Sequence, residues 1–97
     1  MNIHQDGNEF YYGDQDDKKA EIHFVERDED HLEIDHTYVA EELRNQAIGQ
    51  ALVEKVVHYA REVDKKIIAT CPYAKMQLEK NEDYHDVISL DGVEGAE

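Results

Sequence analysis

Three groups of residues in this chain have the types and spacing to do chemistry. The first is the run Leu43-Arg44-Asn45-Gln46-Ala47-Ile48-Gly49-Gln50. A turn opening a helix leaves backbone N–H groups without partners, and with the positive end of the helix dipole they form a site for a pyrophosphate. Ala47 and Gly49 are small enough to let a phosphate approach the backbone, and Arg44 adds a charged contact. The run is not a P-loop, because no Gly-Lys-Ser/Thr follows, and its glycine spacing is not that of a dinucleotide fingerprint. Its composition also suits an ordinary helix start. The second candidate is Cys71, the only cysteine, directly before Pro72. At a strand end and helix N-cap a thiol is drawn toward the reactive thiolate; a small buried residue would also fit there. The third is His36, late in the strand expected to run parallel to that of Cys71. Its neutral imidazole can accept a proton from an incoming amine or from Cys71, or simply bond a carbonyl in the core. Tyr38 and Tyr73 stand at the two strand ends and are expected to line the cleft.

Metals fit less well. His23, His31, His36, His58 and His85 follow no ligand spacing, and one cysteine cannot build a thiolate zinc site. Asp14, Asp16 and Asp17 suggest calcium, but Lys19 and Val25 stand where an EF-hand loop needs glycine and glutamate. A solvated acidic turn is the expectation.

The elements that must position these residues follow from hydrophobic period. Glu9 to Tyr12 reads as a short strand, closed by the turn-rich Gly13 to Asp17. Lys19 to Glu26 alternates, with Ala20, Ile22 and Phe24 on one face. After the charged turn Arg27 to Asp30, His31 to Val39 alternates again and predicts Leu32, Ile34, His36 and Tyr38 on one side. From Ala47 to Val63, residues Ile48, Leu52, Val56, Tyr59 or Ala60, and Val63 recur at helical spacing. Lys65 and Lys66 suit the negative end of that helix. Ile67 to Thr70 reads as a buried strand, and Pro72 opens a second helix that runs from Tyr73 to Lys80. Val87 to Leu90 would be a last edge strand. The class is α+β: a mixed, mostly antiparallel sheet in the order β-β-β-α-β-α(-β), with one parallel pair joined by a right-handed crossover. Ligands on such sheets sit beyond the carboxyl ends of the strands, here Tyr38-Val39 and Thr70-Cys71.

Length and charge set the outer limits. Ninety-seven residues make one domain, expected over residues 1–90, with a flexible acidic tail over 91–97. With 10 basic and 24 acidic residues the net charge is −14, which opposes binding to nucleic acid or anionic membranes. A single thiol, no signal-like start and no long apolar run point to the cytoplasm. A monomer or weak dimer is expected.

Four motifs then occur in register: His36-Thr37-Tyr38-Val39, Glu41-Glu42-Leu43-Arg44, Tyr59-Ala60-Arg61 and Cys71-Pro72-Tyr73-Ala74. Together, from about Phe10 to Val87, they resemble the short, YjdJ-type branch of the GNAT superfamily of N-acetyltransferases. Arg44, Ala47 and Gly49 match its acyl-CoA loop, although Asn45 and Ala47 replace two glycines. The resemblance implies a minimal GNAT fold, splayed at the parallel pair for acetyl-CoA, and no metal. It assigns cofactor contacts to Tyr38, Val39, Arg44, Asn45, Gln46, Ala47, Ile48, Gly49, Gln50, Tyr73 and Lys75, and catalysis to Cys71 and His36. Acetyl would pass to an unidentified, cationic amine, either directly or through Cys71. The alternative is a protein that holds or senses acetyl-CoA without efficient transfer.

Overall fold

A computed structural model describes residues 2–44 and 46–89. Its elements are β1 (Ile3–Gln5), β2 (Glu9–Asp14), β3 (Asp17–Glu26), β4 (His31–Val39), α1 (Ile48–Glu62), β5 (Lys66–Ala69) and α2 (Pro72–Lys80). Short 3-10 turns occupy Glu41–Leu43 and Glu82–Tyr84. The strands form one sheet in the order β1-β2-β3-β4-β5. All neighbours are antiparallel except β4 and β5, which the α1 crossover joins in parallel. β1 is an addition to the sequence reading. Three residues, two of them exposed, are too few to show a period. The expected edge strand at Val87 is reduced to a parallel bridge between Ile67 and Ile88. Leu90 and the 91–97 tail lie outside the described residues.

Burial explains why these segments assemble. Phe10, Ala20, Ile22, Phe24, Leu32 and Ile34 present one apolar sheet face, and α1 lays Ile48, Leu52, Val53, Val56, Val57 and Ala60 across it. Ala74 and Leu78 of α2 join the same cluster. Each large side chain so buried contributes about 1.5–3 kcal/mol of transfer free energy. α1 stops where Val63, Asp64 and Lys65 wrap back: the Lys65 amide donates to Ala60 O at 2.9 Å while Asp64 takes a left-handed φ of 60°. That is the conformation helix ends adopt after their last turn, and aspartate tolerates it better than most residues.

The feature that matters most for the site is in β4. Phe24 pairs with Ile34 but His23 pairs with His36, so Asp35 has no opposite number and forms a β-bulge. An extra residue reverses which face each later side chain takes. Leu32 and Ile34 point into the core. Beyond Asp35 the inner positions are Thr37 and Val39, and His36 and Tyr38 face outward. The expected common face of Leu32, Ile34, His36 and Tyr38 therefore ends at Ile34. On the outer face His36 Nε2 lies 3.3 Å from Glu21 Oε2, and Asp35 Oδ1 lies 2.8 Å from His23 Nδ1.

One ion pair fastens the chain that follows α2. Arg61 holds both carboxylate oxygens of Asp86, at 2.8 and 3.1 Å, and donates to Asp83 O at 2.6 Å. The Arg61 guanidinium holds the Asp86 carboxyl below its usual range. The Asp30 amide, and then His31, do the same for Asp28. Both groups bind a proton more weakly folded than unfolded. Their contribution is therefore complete above about pH 4 and is lost as pH falls through their depressed folded values. Thermal midpoints measured from pH 7 downward should fall in that acid window, and Asp86→Asn should flatten part of the decline. A decline unchanged in Asp86→Asn would count against this assignment.

Candidate active site

The cleft arises because β5 ends before β4 does. The pair is in register from His31–Lys66 to Ile34–Ala69. The amides of Thr70 and Cys71 then both donate to Ile34 O, at 3.2 and 3.4 Å, and Pro72 opens α2. β4 continues from Asp35 to Val39 beside an open gap. In an antiparallel ladder, alternate residues turn their backbone groups to opposite sides. Ala40 N donates to Lys19 O across to β3, so the backbone of Thr37 and Val39 faces the gap. The cavity there measures about 370 Å³ and is lined by Thr37, Val39, Arg44, Ala47, Gly49 and Tyr73.

The first turn of α1 closes one end. Ala47 is its N-cap and makes no side-chain capping bond; the first intrahelical bond runs from Ala51 N to Ala47 O. The amides of Ile48, Gly49 and Gln50 therefore have no partner within the helix. Arg44 Nε donates to Val39 O at 3.2 Å, which holds the guanidinium at the gap. Gly49 is required by packing, since the Tyr73 ring lies where a side chain would begin. Ala47 is strained: its φ of 60° is left-handed, which crowds Cβ against the following carbonyl. Ala47→Gly should therefore stabilise the fold by about 0.5–1 kcal/mol, after the added chain entropy is set against the relief. A thermal melt a few degrees higher is the expected reading; an equal or lower midpoint would argue that Ala47 bears no strain.

Cys71 stands at the other end, as the N-cap of α2 in extended conformation. Its Sγ lies 3.5 Å from Thr37 Oγ1. Partial burial pushes the thiol up, but the Thr37 hydroxyl and the amides of Ala74, Tyr73 and Thr37 outweigh it and bring the thiol below its ordinary value. Burial pushes the Tyr73 phenol up, with a bond to Gln77 acting against it. The arrangement brings a helix start with unpartnered amides and an extended backbone edge into one groove, with the Cys71 sulfur against Thr37 at its end.

Of the residues anticipated from sequence, Val39, Arg44, Ala47, Gly49 and Tyr73 meet in this groove, with Cys71 at its Thr37 end. The others are placed differently. Tyr38 is 44% exposed on the outer sheet face. His36 shares that face, so the bulge puts its side chain on the side of the sheet opposite Thr37 and Cys71. Ile48 sends its side chain into the core, while Gln46 and Gln50 are exposed. Lys75 borders a small hollow with Ile67, Ala69, Leu78 and Glu79 instead of the groove. Asn45 lies outside the described residues. Thr37 was missed, because its inward face depends on a bulge that no period reveals. Among the described residues no group of histidine, cysteine and carboxylates is placed to hold a metal. No helix among them is long and apolar enough to cross a membrane.

Comparison with known proteins gives the same lineage from two directions. A family model of GCN5-related N-acetyl-transferases matches residues 9–87. The solution structure of a GCN5-like candidate N-acetyltransferase from Staphylococcus aureus is 44% identical, with a TM-score of 0.80 over 91% of this chain and 87% of that one. A GNAT family acetyltransferase from Elizabethkingia anophelis, solved with acetyl-CoA bound, is 20% identical. It shares the fold at a TM-score of 0.58, over 74% of this chain and 50% of its own. No curated protein matches the chain. The family model spans most of the sequence and the sheet splays where that fold requires it: the chain belongs to the GCN5-related N-acetyltransferase family.

Proposed function

We propose that this protein transfers an acetyl group from acetyl-CoA to a primary amine. The observation that carries the reading is the edge of β4 from Asp35 to Val39 that no neighbouring strand covers, which opens onto the first-turn amides of α1. The bound acetyl-CoA in the Elizabethkingia anophelis relative supports it. Arg44 and the amides of Ile48 to Gln50 bind the pyrophosphate, and the backbone of Val39 and Thr37 pairs with the pantetheine amides as it would with a strand. Tyr73 walls the groove.

Acetyl-CoA supplies an activated acyl carbonyl. The amine nitrogen forms the new C–N bond, the C–S bond breaks, and coenzyme A leaves as a thiolate that takes up the proton the nitrogen loses on becoming an amide. A backbone amide near Val39 stabilises the oxyanion. His36, on the outer face, takes the ammonium proton from an acceptor that approaches from that side. Its position supports action on the amine over action on Cys71. Cys71 either carries the acetyl group transiently or remains a bystander at the carbonyl. Glu21 and Asp35 beside His36 favour a cationic acceptor.

An amide-shift titration with acetyl-CoA tests the binding step. Shifts should concentrate on Thr37, Val39, Arg44, Ile48 to Gln50 and Cys71, and Arg44→Ala should weaken binding about five- to tenfold through loss of a charge-assisted contact. No shift at saturating ligand would overturn the proposal. Release of coenzyme A with a panel of amines tests the transfer step; binding without release would favour a protein that holds acetyl-CoA.

A further inference from the structure

We infer that Thr37 is a positioning residue, whose hydroxyl aims the Cys71 sulfur into the groove and donates to it in its anionic form. The inference deepens the reading of the groove as an acyl-donor site and rests on it for its catalytic consequence, though not for the contact itself. Four observations converge. Thr37 lines the groove. Its Oγ1 lies 3.5 Å from Cys71 Sγ. The Asp35 bulge is what turns it inward, in place of His36. Cys71 is the N-cap of α2 and Thr37 belongs to β4, so this contact joins the two walls of the splay.

A β-branched residue suits this strand position whether or not it carries a hydroxyl, so valine would satisfy the backbone equally. The hydroxyl is what threonine adds. A stiff χ1 fixes its direction. The charged and titratable neighbours are accounted for. Glu33 is held by Thr70 Oγ1 at 2.9 Å and Arg27 at 3.0 Å, and Asp35 by His23 on the outer face. His36 pairs with Glu21 there, and Arg44 donates to Val39 O. The Tyr73 phenol on α2 is the titratable group whose charge interacts with Cys71. None of these supplies the donor that Thr37 does.

The test uses the whole chain without ligand. Alkylation of Cys71 by iodoacetamide is followed against pH in wild type, Thr37→Val and Thr37→Ser, with native fold verified by amide NMR. Removing a donor to the thiolate lowers the thiolate fraction at a given pH. Thr37→Val should therefore alkylate about tenfold more slowly below the thiol's titration, with its profile displaced to higher pH. Thr37→Ser should stay within about twofold of wild type, since it keeps the hydroxyl. Thr37→Ala serves if the valine variant does not fold. A folded Thr37→Val or Thr37→Ala with the wild-type profile would overturn the inference. Where Cys71 carries the acetyl group, Thr37→Val should lower kcat with little change in KM for acetyl-CoA. If no amine is acetylated by wild type, the proposed function falls, and the alkylation profiles still decide the role of Thr37.

Discussion

Phe24→Ala is expected to lower the free energy of unfolding by about 3–5 kcal/mol. Phe24 is fully buried in β3, with its ring 6.0 Å from that of Phe10 and 5.2 Å from that of Tyr59. It therefore joins β2, β3 and the buried face of α1, and it pairs with Ile34 on the last step before the bulge. Removing the ring loses its transfer free energy and leaves a cavity that three elements would have to shift to fill. A domain of this size has about 5–15 kcal/mol in total, so the loss takes a large share. Urea unfolding should show a much lower midpoint with an unchanged slope. Phe24→Leu should cost far less, because it refills most of the volume. A midpoint within experimental error of wild type for Phe24→Ala would mean that the core is not centred on this residue.

The second large effect is expected at Gly49. A Cβ there would stand 2.8 Å from Tyr73 Cζ, closer still to the hydroxyl, and 3.1 Å from Cε2. Helix propensity alone would make alanine the better residue by up to about 1 kcal/mol. The clash acts against this gain, since overpacking typically costs about 1–3 kcal/mol. The ring is anchored on the first turn of α2, and swinging it aside means moving a wall of the groove. Gly49→Ala should therefore be destabilised on balance and should bind acetyl-CoA about tenfold more weakly. Tyr73→Ala should remove the conflict, so that Gly49→Ala becomes neutral or stabilising in that background. The double-mutant cycle should give a coupling of about 1 kcal/mol or more. Additive single and double variants would show that Tyr73 does not pack on Gly49.

The fold was legible wherever one period governed a whole segment. Ala20, Ile22 and Phe24 marked β3, and the stripe from Ile48 to Ala60 marked α1, because in each case a continuous face is buried. Pro72 marked the start of α2 because it has no amide to lose there. The groove was legible where composition reports backbone geometry, as at Arg44, Ala47 and Gly49. It was not legible in β4 beyond Ile34. Asp35, His36, Thr37 and Tyr38 are all polar or amphipathic, so no apolar residue signals which way the chain faces after the bulge. Lys75 was misplaced for a related reason. Helix α2 is short and carries few apolar residues, and its orientation is set by packing against α1 and β5 instead of by its own pattern. β1 escaped notice because its partner β2 defines it more than its own residues do.

Asp35 divides β4 into two reading frames. Before it, even-numbered positions belong to the core; after it, odd-numbered positions belong to the groove, within a single strand. On the proposed function the two halves serve different ends, the core for Leu32 and Ile34 and the acyl-donor groove for Thr37 and Val39. Loss of this one residue would straighten the ladder without turning the chain over: His36 would still oppose His23 on the outer face, and Thr37 and Val39 would still face inward. An alignment gap at Asp35 in a related chain would therefore leave the same residues on each face, whereas a strand that kept Asp35 in a regular ladder would turn His36 and Tyr38 inward and Thr37 outward.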